Sequence, residues 1–388
     1  MTSLAAGLAT ELAALELEGL RRNRRILQTP QRARVSVDGR EYVAFCSNDY
    51  LGLAAHPALV EAACEGARLY GVGAGASHLI LGHTAAHHAL EQALARFVGL
   101  PGALCFSTGY MANLGVVTAL AGRGDAIFAD RLNHASLNDA ALLSRAHFKR
   151  YPHCDLHALE RLLANTPAKT RLIASDTVFS MDGDIAPVRE LLSLAERYDA
   201  WLVLDDAHGF GVLGAGGRGI LEHAGLRSPR IAYMGTLGKA AGVFGAFVAG
   251  EDELIAMLVQ RARTYIYTTA MPPLLAHTLL RSLGVISAEQ SRRARLVELI
   301  AQLKSGLSAC RWRLMPSDTP IQPLMVGGSS EALALSAKLA QRGLLVPAIR
   351  PPTVARGQAR LRISLSADHG HDDVDRLVAG LLAVQGAT

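Results

Sequence analysis

Cysteine is scarce in this chain: five residues, Cys46, Cys64, Cys105, Cys154 and Cys310, odd in number and never in CxxC spacing. That excludes a disulfide framework and offers no zinc-site spacing, so no metal is expected. The cysteines are expected instead to be small apolar residues of the interior. Charged residues make up only 19% of the chain, which excludes long self-repelling disordered tracts. No apolar run reaches the roughly 18 residues needed to cross a membrane. The start, MTSLAAGLATELAALELEGLRRNRR, mixes acidic residues into a helical pattern where a signal peptide has a basic start and an apolar block. The expectation is a cytoplasmic protein that does not touch the membrane. Internal repeats, low-complexity tracts and flexible linkers are also missing.

What is present is apolar material in regular alternation. Half of the 388 residues are hydrophobic, enough for one large core and a smaller second one. The net charge is +5, and the only dense basic cluster is Arg21, Arg22, Arg24 and Arg25. No aromatic interleaving accompanies it, so nucleic acid is not expected. A solvated helix face and attraction of a phosphate-rich or acidic small partner both remain open for it. Residues 4–25 read as an amphipathic helix, with Leu4, Leu8, Leu12, Leu15 and Leu20 near helical spacing, an arm suited to packing on another element or subunit. ARVSVDGREYVAF then alternates around Asp38-Gly39, a strong hairpin signal. His56-Pro57 opens a helix to about Tyr70, and Gly71-Val-Gly-Ala-Gly-Ala-Ser77 is rich enough in glycine to suggest close backbone approach to something.

From there strands and helices alternate. Apolar strands are expected at 103–106, 126–129, 147–151, 171–175, 201–204 and 231–234, separated by helices at 136–145, 155–164 and 187–198. That order implies a mostly parallel sheet covered by helices on both faces, with functional residues at the carboxyl ends of the strands. Several of those ends are polar: Asp130 to His134, Ser175-Asp176-Thr177, Asp205-Asp206-Ala-His208 and Thr236-Leu-Gly-Lys239. Strand 103–106 runs into Ser107-Thr-Gly109-Tyr110 and a helix, and the free N–H groups at such a helix start form an anion site. Beyond Pro272-Pro273 a long helical stretch at 274–309 leads into a smaller α+β region. Three parts are expected: an arm over 1–45, a large domain over 46–273 and a small one over 274–388.

Lys239 alone reads as a loop lysine among small residues. Set beside an aspartate ending a buried strand, a histidine three residues later, a second histidine upstream and a phosphate turn, it reads differently. Pyridoxal phosphate (PLP) requires that set, a lysine amine for its aldehyde and a carboxylate for its ring nitrogen.

The chain resembles the α-oxoamine synthase family of fold-type I PLP enzymes over nearly its whole length, in NDYLGL, DRLNHASL, VFSMDGDIAP, DDAHGFGVLG, GTLGKAAG, YTTAMPP and AIRPPTVARGQARLRISL. The resemblance implies a homodimer that condenses an amino acid with an acyl thioester. The members it is most similar to join L-alanine to pimeloyl-CoA or pimeloyl-acyl carrier protein. Other members, a glycine C-acetyltransferase or a 5-aminolevulinate synthase, share the same core, and a non-catalytic PLP-binding protein is the alternative of another class. By resemblance Lys239 links the cofactor and acts as base, Asp205 pairs with the ring nitrogen, His208 bonds the phenolic oxygen and His134 stacks on the ring. Ser180 and Thr236 line the pocket, Gly109 and Tyr110 bind phosphate, and Thr269 reaches the phosphate of the partner subunit. Asn48 and Arg362 face the substrate carboxylate, while Arg21, Arg350 and Thr353 face the acyl donor. Asp206 is expected to be structural. The chain departs from the family pattern at His78-Leu79.

Overall fold

The computed structural model describes residues 4–18 and 20–385; the outermost residues of the expected arm and C-terminal domain, 1–3 and 386–388, together with Gly19, lie outside the described residues. Seven strands form the central sheet, in the order Gly102–Phe106, Ala246–Gly250, Ile231–Thr236, Ala200–Asp205, Arg171–Asp176, Ala126–Asp130 and His147–Tyr151. All are parallel to one another except Ala246–Gly250, which runs against both of its neighbours. Successive side chains of a strand point to opposite faces, and here both faces are buried in separate cores. Cys105, Phe128, Ile173, Leu202, Leu204, Tyr233 and Phe247 pack on one side. Leu104, Ile127, Leu172, Val203, Ala232 and Val248 pack on the other. A strand buried on both faces has no polar side to show, which is why these segments read as continuous apolar runs.

Helices close each face. Gly109–Leu120, Ala135–Ser144 and Asp252–Arg261 bury Val116, Leu137 and Leu258 on one side. Ala85–Val98, Leu156–Asn165, Val188–Arg197 and Pro273–Ala288 bury Leu90, Leu159, Leu191 and Leu279 on the other. Each such leucine, fully withdrawn from water, contributes roughly 1.5–3 kcal/mol.

A second, antiparallel sheet has the order Arg313–Leu314, Ile321–Gly327, Ala359–Ser364, Ala348–Ile349. The expected hairpin is Arg34–Val37 and Arg40–Ala44, turning at Asp38 (φ 49°) and Gly39 (φ 78°), and it takes Leu344–Leu345 as a parallel third strand.

Three expectations need correction. The first helix ends at Leu17 and buries none of its residues; Leu4, Leu8 and Leu12 are 93%, 62% and 45% exposed. The arginines that follow continue without regular structure because Leu27 bridges Val37 and draws the chain out along the hairpin. The stretch 274–309 is two helices, Pro273–Ala288 and Ser291–Gly306, parted at Glu289. Of the cysteines only Cys105 is buried, and all five are free thiols. In the glycine-rich loop Gly71 and Gly75 have φ of 73° and 70°, and a Cβ added at either, or at Gly73, meets nothing of this chain within 4 Å.

Candidate active site

Five polar strand ends converge on one cavity of about 190 Å³, lined by Gly109, Tyr110, His134, Ser180, Asp205, His208, Thr236 and Lys239 among others. Asp205 and Asp206 are sequence neighbours whose side chains part as strand alternation requires. Asp205 faces the cavity, and its carboxylate accepts hydrogen bonds from Asn113 Nδ2 at 2.7 Å and the Ala207 amide at 3.0 Å. Asp206 turns into the core and accepts from the Thr177 hydroxyl, the Ile220 amide and the Tyr233 hydroxyl. Burial pushes the Asp206 carboxyl up to about 7.

Lys239 Nζ lies 2.9 Å from His208 Nε2, and His208 Nδ1 lies 2.7 Å from the Tyr50 hydroxyl. Burial holds the His208 imidazole well below its ordinary pKa, aided by the charges of Lys239 and Arg362, so the ring is neutral. A neutral imidazole accepts at one nitrogen and donates from the other. The ammonium can therefore donate to His208, which in turn donates to Tyr50. Burial also lowers Lys239 to about 8, against the opposing pull of Asp205 and Asp176. Its amine thus exchanges protons near neutral pH.

His134 caps the helix Ala135–Ser144, and its Nδ1 is 2.7 Å from Ser136 Oγ. Its backbone amide donates to both Asp176 oxygens at 3.1 and 3.2 Å. Burial of the ring lowers its pKa, leaving a neutral flat surface toward the cavity. Opposite, the helix Gly109–Leu120 begins at the cavity wall, capped by Thr108, which accepts from the Met111 amide. The first amides of such a helix, with its dipole, favour an anion. Thr236 Oγ1 is held by the Gly245 carbonyl at 3.2 Å.

Arg362 and Asn48 do not line this cavity, and the Arg362 guanidinium is fixed on several sides. Nε donates to the Ser180 carbonyl at 2.6 Å, one terminal nitrogen to Asn48 Oδ1 and Ser364 Oγ at 3.2 and 2.8 Å, and the other to the Tyr50 hydroxyl at 3.4 Å. Asn48 and Arg362 therefore join the Lys239 network through Tyr50. The remaining expected residues lie elsewhere. Arg21, Arg350 and Thr353 line a second cavity of about 630 Å³, whose apolar floor includes Leu27, Val35, Val37 and Leu345. Thr269 is exposed, bridges Ser77 and does not line the first cavity. His78 does not line it either; its ring is buried and stacks on Tyr265 at 4.6 Å.

Comparison with known proteins places this geometry. The model of class I and II aminotransferases matches residues 40–381. An 8-amino-7-oxononanoate synthase from Nitrosospira multiformis is 64% identical over 97% of this chain and 95% of its own. The structure of serine palmitoyltransferase from S. paucimobilis, with PLP and myriocin bound, matches with a TM-score of 0.93 and 29% identity over 100% of this chain and 99% of that one. An 8-amino-7-oxononanoate synthase from Francisella tularensis gives a TM-score of 0.77 and 31% identity over 89% and 98%. The chain belongs to the 8-amino-7-oxononanoate synthase family. It has the fold-type I architecture of PLP-dependent transferases, and PLP is its cofactor.

As in others of the 8-amino-7-oxononanoate synthase family, the donor set must suit PLP, and it does. The cavity offers an amine of lowered pKa, a carboxylate held in place by Asn113, and a helix start for a phosphate. The Asn113 carbonyl oxygen is buried without a partner. Asn113 itself was not foreseen from the sequence, nor were Tyr50 and Ser136; a polar residue one turn into the apolar helix GYMANLGVVTAL was the available signal. A Cβ at Gly242 (φ 71°) would lie 2.6 Å from the Leu53 carbonyl carbon, so this glycine lets the turn pack against backbone. Among the described residues no helix is long and apolar enough to cross a membrane.

Proposed function

We propose that this chain condenses L-alanine with a pimeloyl thioester, carried by CoA or by acyl carrier protein, to give 8-amino-7-oxononanoate, carbon dioxide and free thiol. The observation that carries this is the buried chain of contacts from Lys239 through His208 and Tyr50 to Arg362, which joins a proton acceptor on the cavity to a guanidinium behind it.

PLP, when bound, supplies an aldehyde for the amino group and a ring that accepts carbanion charge. Lys239 would anchor it, Asp205 would keep the ring nitrogen protonated, His134 would cover a face and His208 would meet the phenolic oxygen. The amides of Gly109 and Tyr110 and the Thr236 hydroxyl would hold the phosphate, with Ser180 on the wall. Arg362, with Asn48 beside it, supplies the positive charge that faces the alanine carboxylate. Lys239, at a pKa of about 8, takes the proton from the alanine α-carbon. That carbon then bonds to the acyl carbonyl carbon, the thiol leaves, and the carboxyl departs as carbon dioxide. A proton returns to the same carbon. Arg21, Arg350 and Thr353 receive the acyl donor in the larger cavity, where guanidinium groups stand over an apolar floor. The working form is a homodimer in the cytoplasm, with exposed Thr269 completing the phosphate site of a second copy.

A panel of alanine, glycine and serine against pimeloyl, acetyl and succinyl thioesters, followed by carbon dioxide release, tests the reading. Alanine with a pimeloyl donor is expected to be the best pair; a better glycine pair overturns the assignment. Light scattering at micromolar protein tests the dimer.

A further inference from the structure

Outside both cavities, one charged side chain ties three strand ends together. His153 follows the strand His147–Tyr151. Its Nδ1 lies 3.1 and 3.2 Å from the two oxygens of Asp130, and its Nε2 lies 2.9 Å from Asp184 Oδ2. The ring stands edge-on to Phe179, with centroids 4.4 Å apart. Burial opposes the charge on His153, yet its bonds to the two carboxylates push its pKa up to about 12, so it is an imidazolium that donates from both nitrogens. The nearby Cys154 completes a cluster whose ligand atoms lie within 4.8 Å of Asp130 and His153. With both ring nitrogens already donating to carboxylates, the imidazole has no lone pair left for a cation.

Asp184 ends a short loop, Phe179 to Asp184, closed by the Phe179 amide on the Asp184 carbonyl and the Gly183 amide on the Phe179 carbonyl. That loop is gripped from the opposite side by the second sheet. Arg360 donates to the Met181 carbonyl and the Asp182 carboxylate, Ser317 and Thr319 donate to the Gly183 carbonyl, and Arg362 donates to the Ser180 carbonyl. Among the described residues, only the His153 contact fixes the loop through a charge from the central sheet. The other partner of His153, Asp130, also accepts from the Leu132 amide in the turn that leads to His134.

We infer that His153 is a positioning residue: through Asp184 it sets where the Ser180 carbonyl stands, and the Ser180 carbonyl orients the Arg362 guanidinium for the substrate carboxylate. This rests on the reading of Arg362 given above. A guanidinium binds a carboxylate only when its available N–H points correctly, and displacements of about 1 Å remote from the chemistry can be felt strongly. The expected signature of loss is weaker amino-acid binding with the acyl-donor cavity unaffected.

The test uses the PLP-loaded protein and two variants, His153→Gln and Asp184→Asn; the second leaves the His153–Asp130 pair in place and changes a partly exposed residue. Amino-acid affinity is read from the change in cofactor absorbance on titration without acyl donor, using whichever of alanine, glycine or serine gives the largest change with the unaltered protein. Affinity is expected to fall about tenfold in both variants, with the double variant no worse than either single one. The KM for the thioester is expected to stay within about twofold, since neither residue lines the larger cavity. Unchanged amino-acid affinity in Asp184→Asn, or equal losses for amino acid and thioester, overturns the assignment. If the unaltered protein binds glycine or serine in preference to alanine, the proposed reaction fails while the role of His153 is still decided by the variants.

Discussion

The two cavities are built on opposite plans. The smaller one sits at the ends of central strands, and its charged groups are bonded inside the protein: Asp205 to Asn113 and Lys239 to His208, with Arg362 behind them held by four partners. The larger one lies between an arm, a hairpin and the segment 344–353, and Arg21 on its rim pairs with Glu16, at 3.2 Å, with both side chains substantially exposed. Charge in a dry, fixed site acts strongly because nothing must reorganise around it. Charge on an open rim is screened and serves attraction more than geometry. The first plan suits bond making, and the second suits holding a long substrate by many weak contacts.

Removing the central amine should break the first plan outright. Lys239→Ala is expected to lower turnover by about 10³-fold or more, with the melting temperature little changed and no borohydride-sensitive absorbance band; persistent turnover would show that the amine is not the base. On the rim the effect should be of another order. Arg21→Ala or Arg350→Ala is expected to raise the thioester KM roughly fivefold, about 1 kcal/mol, at unchanged kcat, and the difference should shrink at high salt. A rise in the alanine KM instead would erase the distinction between the cavities.

A gentler probe reads the amine itself. In cofactor-free protein, PLP uptake should quicken as pH climbs through about 8 and level off above, because burial lowers Lys239 and the neutral amine is the reacting form. A rise centred near the ordinary lysine value would mean the amine is solvated. The smallest effect concerns a buried charge outside both cavities. Glu91 accepts the Cys105 amide at 2.8 Å, and burial pushes its carboxyl from 4.5 up to about 7. The folded state therefore binds its proton more tightly than the unfolded one, and the stability this contributes is complete below 4.5 and lost as pH rises to about 7. Glu91→Gln keeps an acceptor for the amide without the charge. Its melting temperature relative to the parent should increase across that window and then hold steady; a flat difference would show that His83, 3.9 Å away, already compensates the charge.

Most of the central sheet was legible because burial on both faces leaves an unbroken apolar signature, and the polar residues ending each run stood out against it. Lys239, Asp205, His134 and His208 were found that way and do meet in one cavity. Arg362 and Asn48 were reached through resemblance, since their link to Lys239 passes through Tyr50, more than 150 residues from His208 in the chain. Contacts that distant leave no local pattern. The leucines of the first helix misled in the other direction: helical spacing records that a face is apolar, and says nothing about which surface covers it. Arg21, Arg350 and Thr353 share a cavity, which spacing alone could not have shown.

The reversed strand Ala246–Gly250 has a consequence for how the chain can be rearranged. Because it returns beside Ile231–Thr236 at once, Lys239 sits inside a small closed loop, latched by the Leu237 amide on the Gly245 carbonyl, the Val243 amide on the Leu237 carbonyl and the Gly242 amide on the Lys239 carbonyl. The other polar strand ends of the cavity lead into helical crossovers that bring the chain back along the sheet. A circular permutant cut at the exposed turn near Arg123 leaves the lysine ring unbroken, whereas a cut anywhere from 238 to 244 frees the residue proposed to be joined to the cofactor.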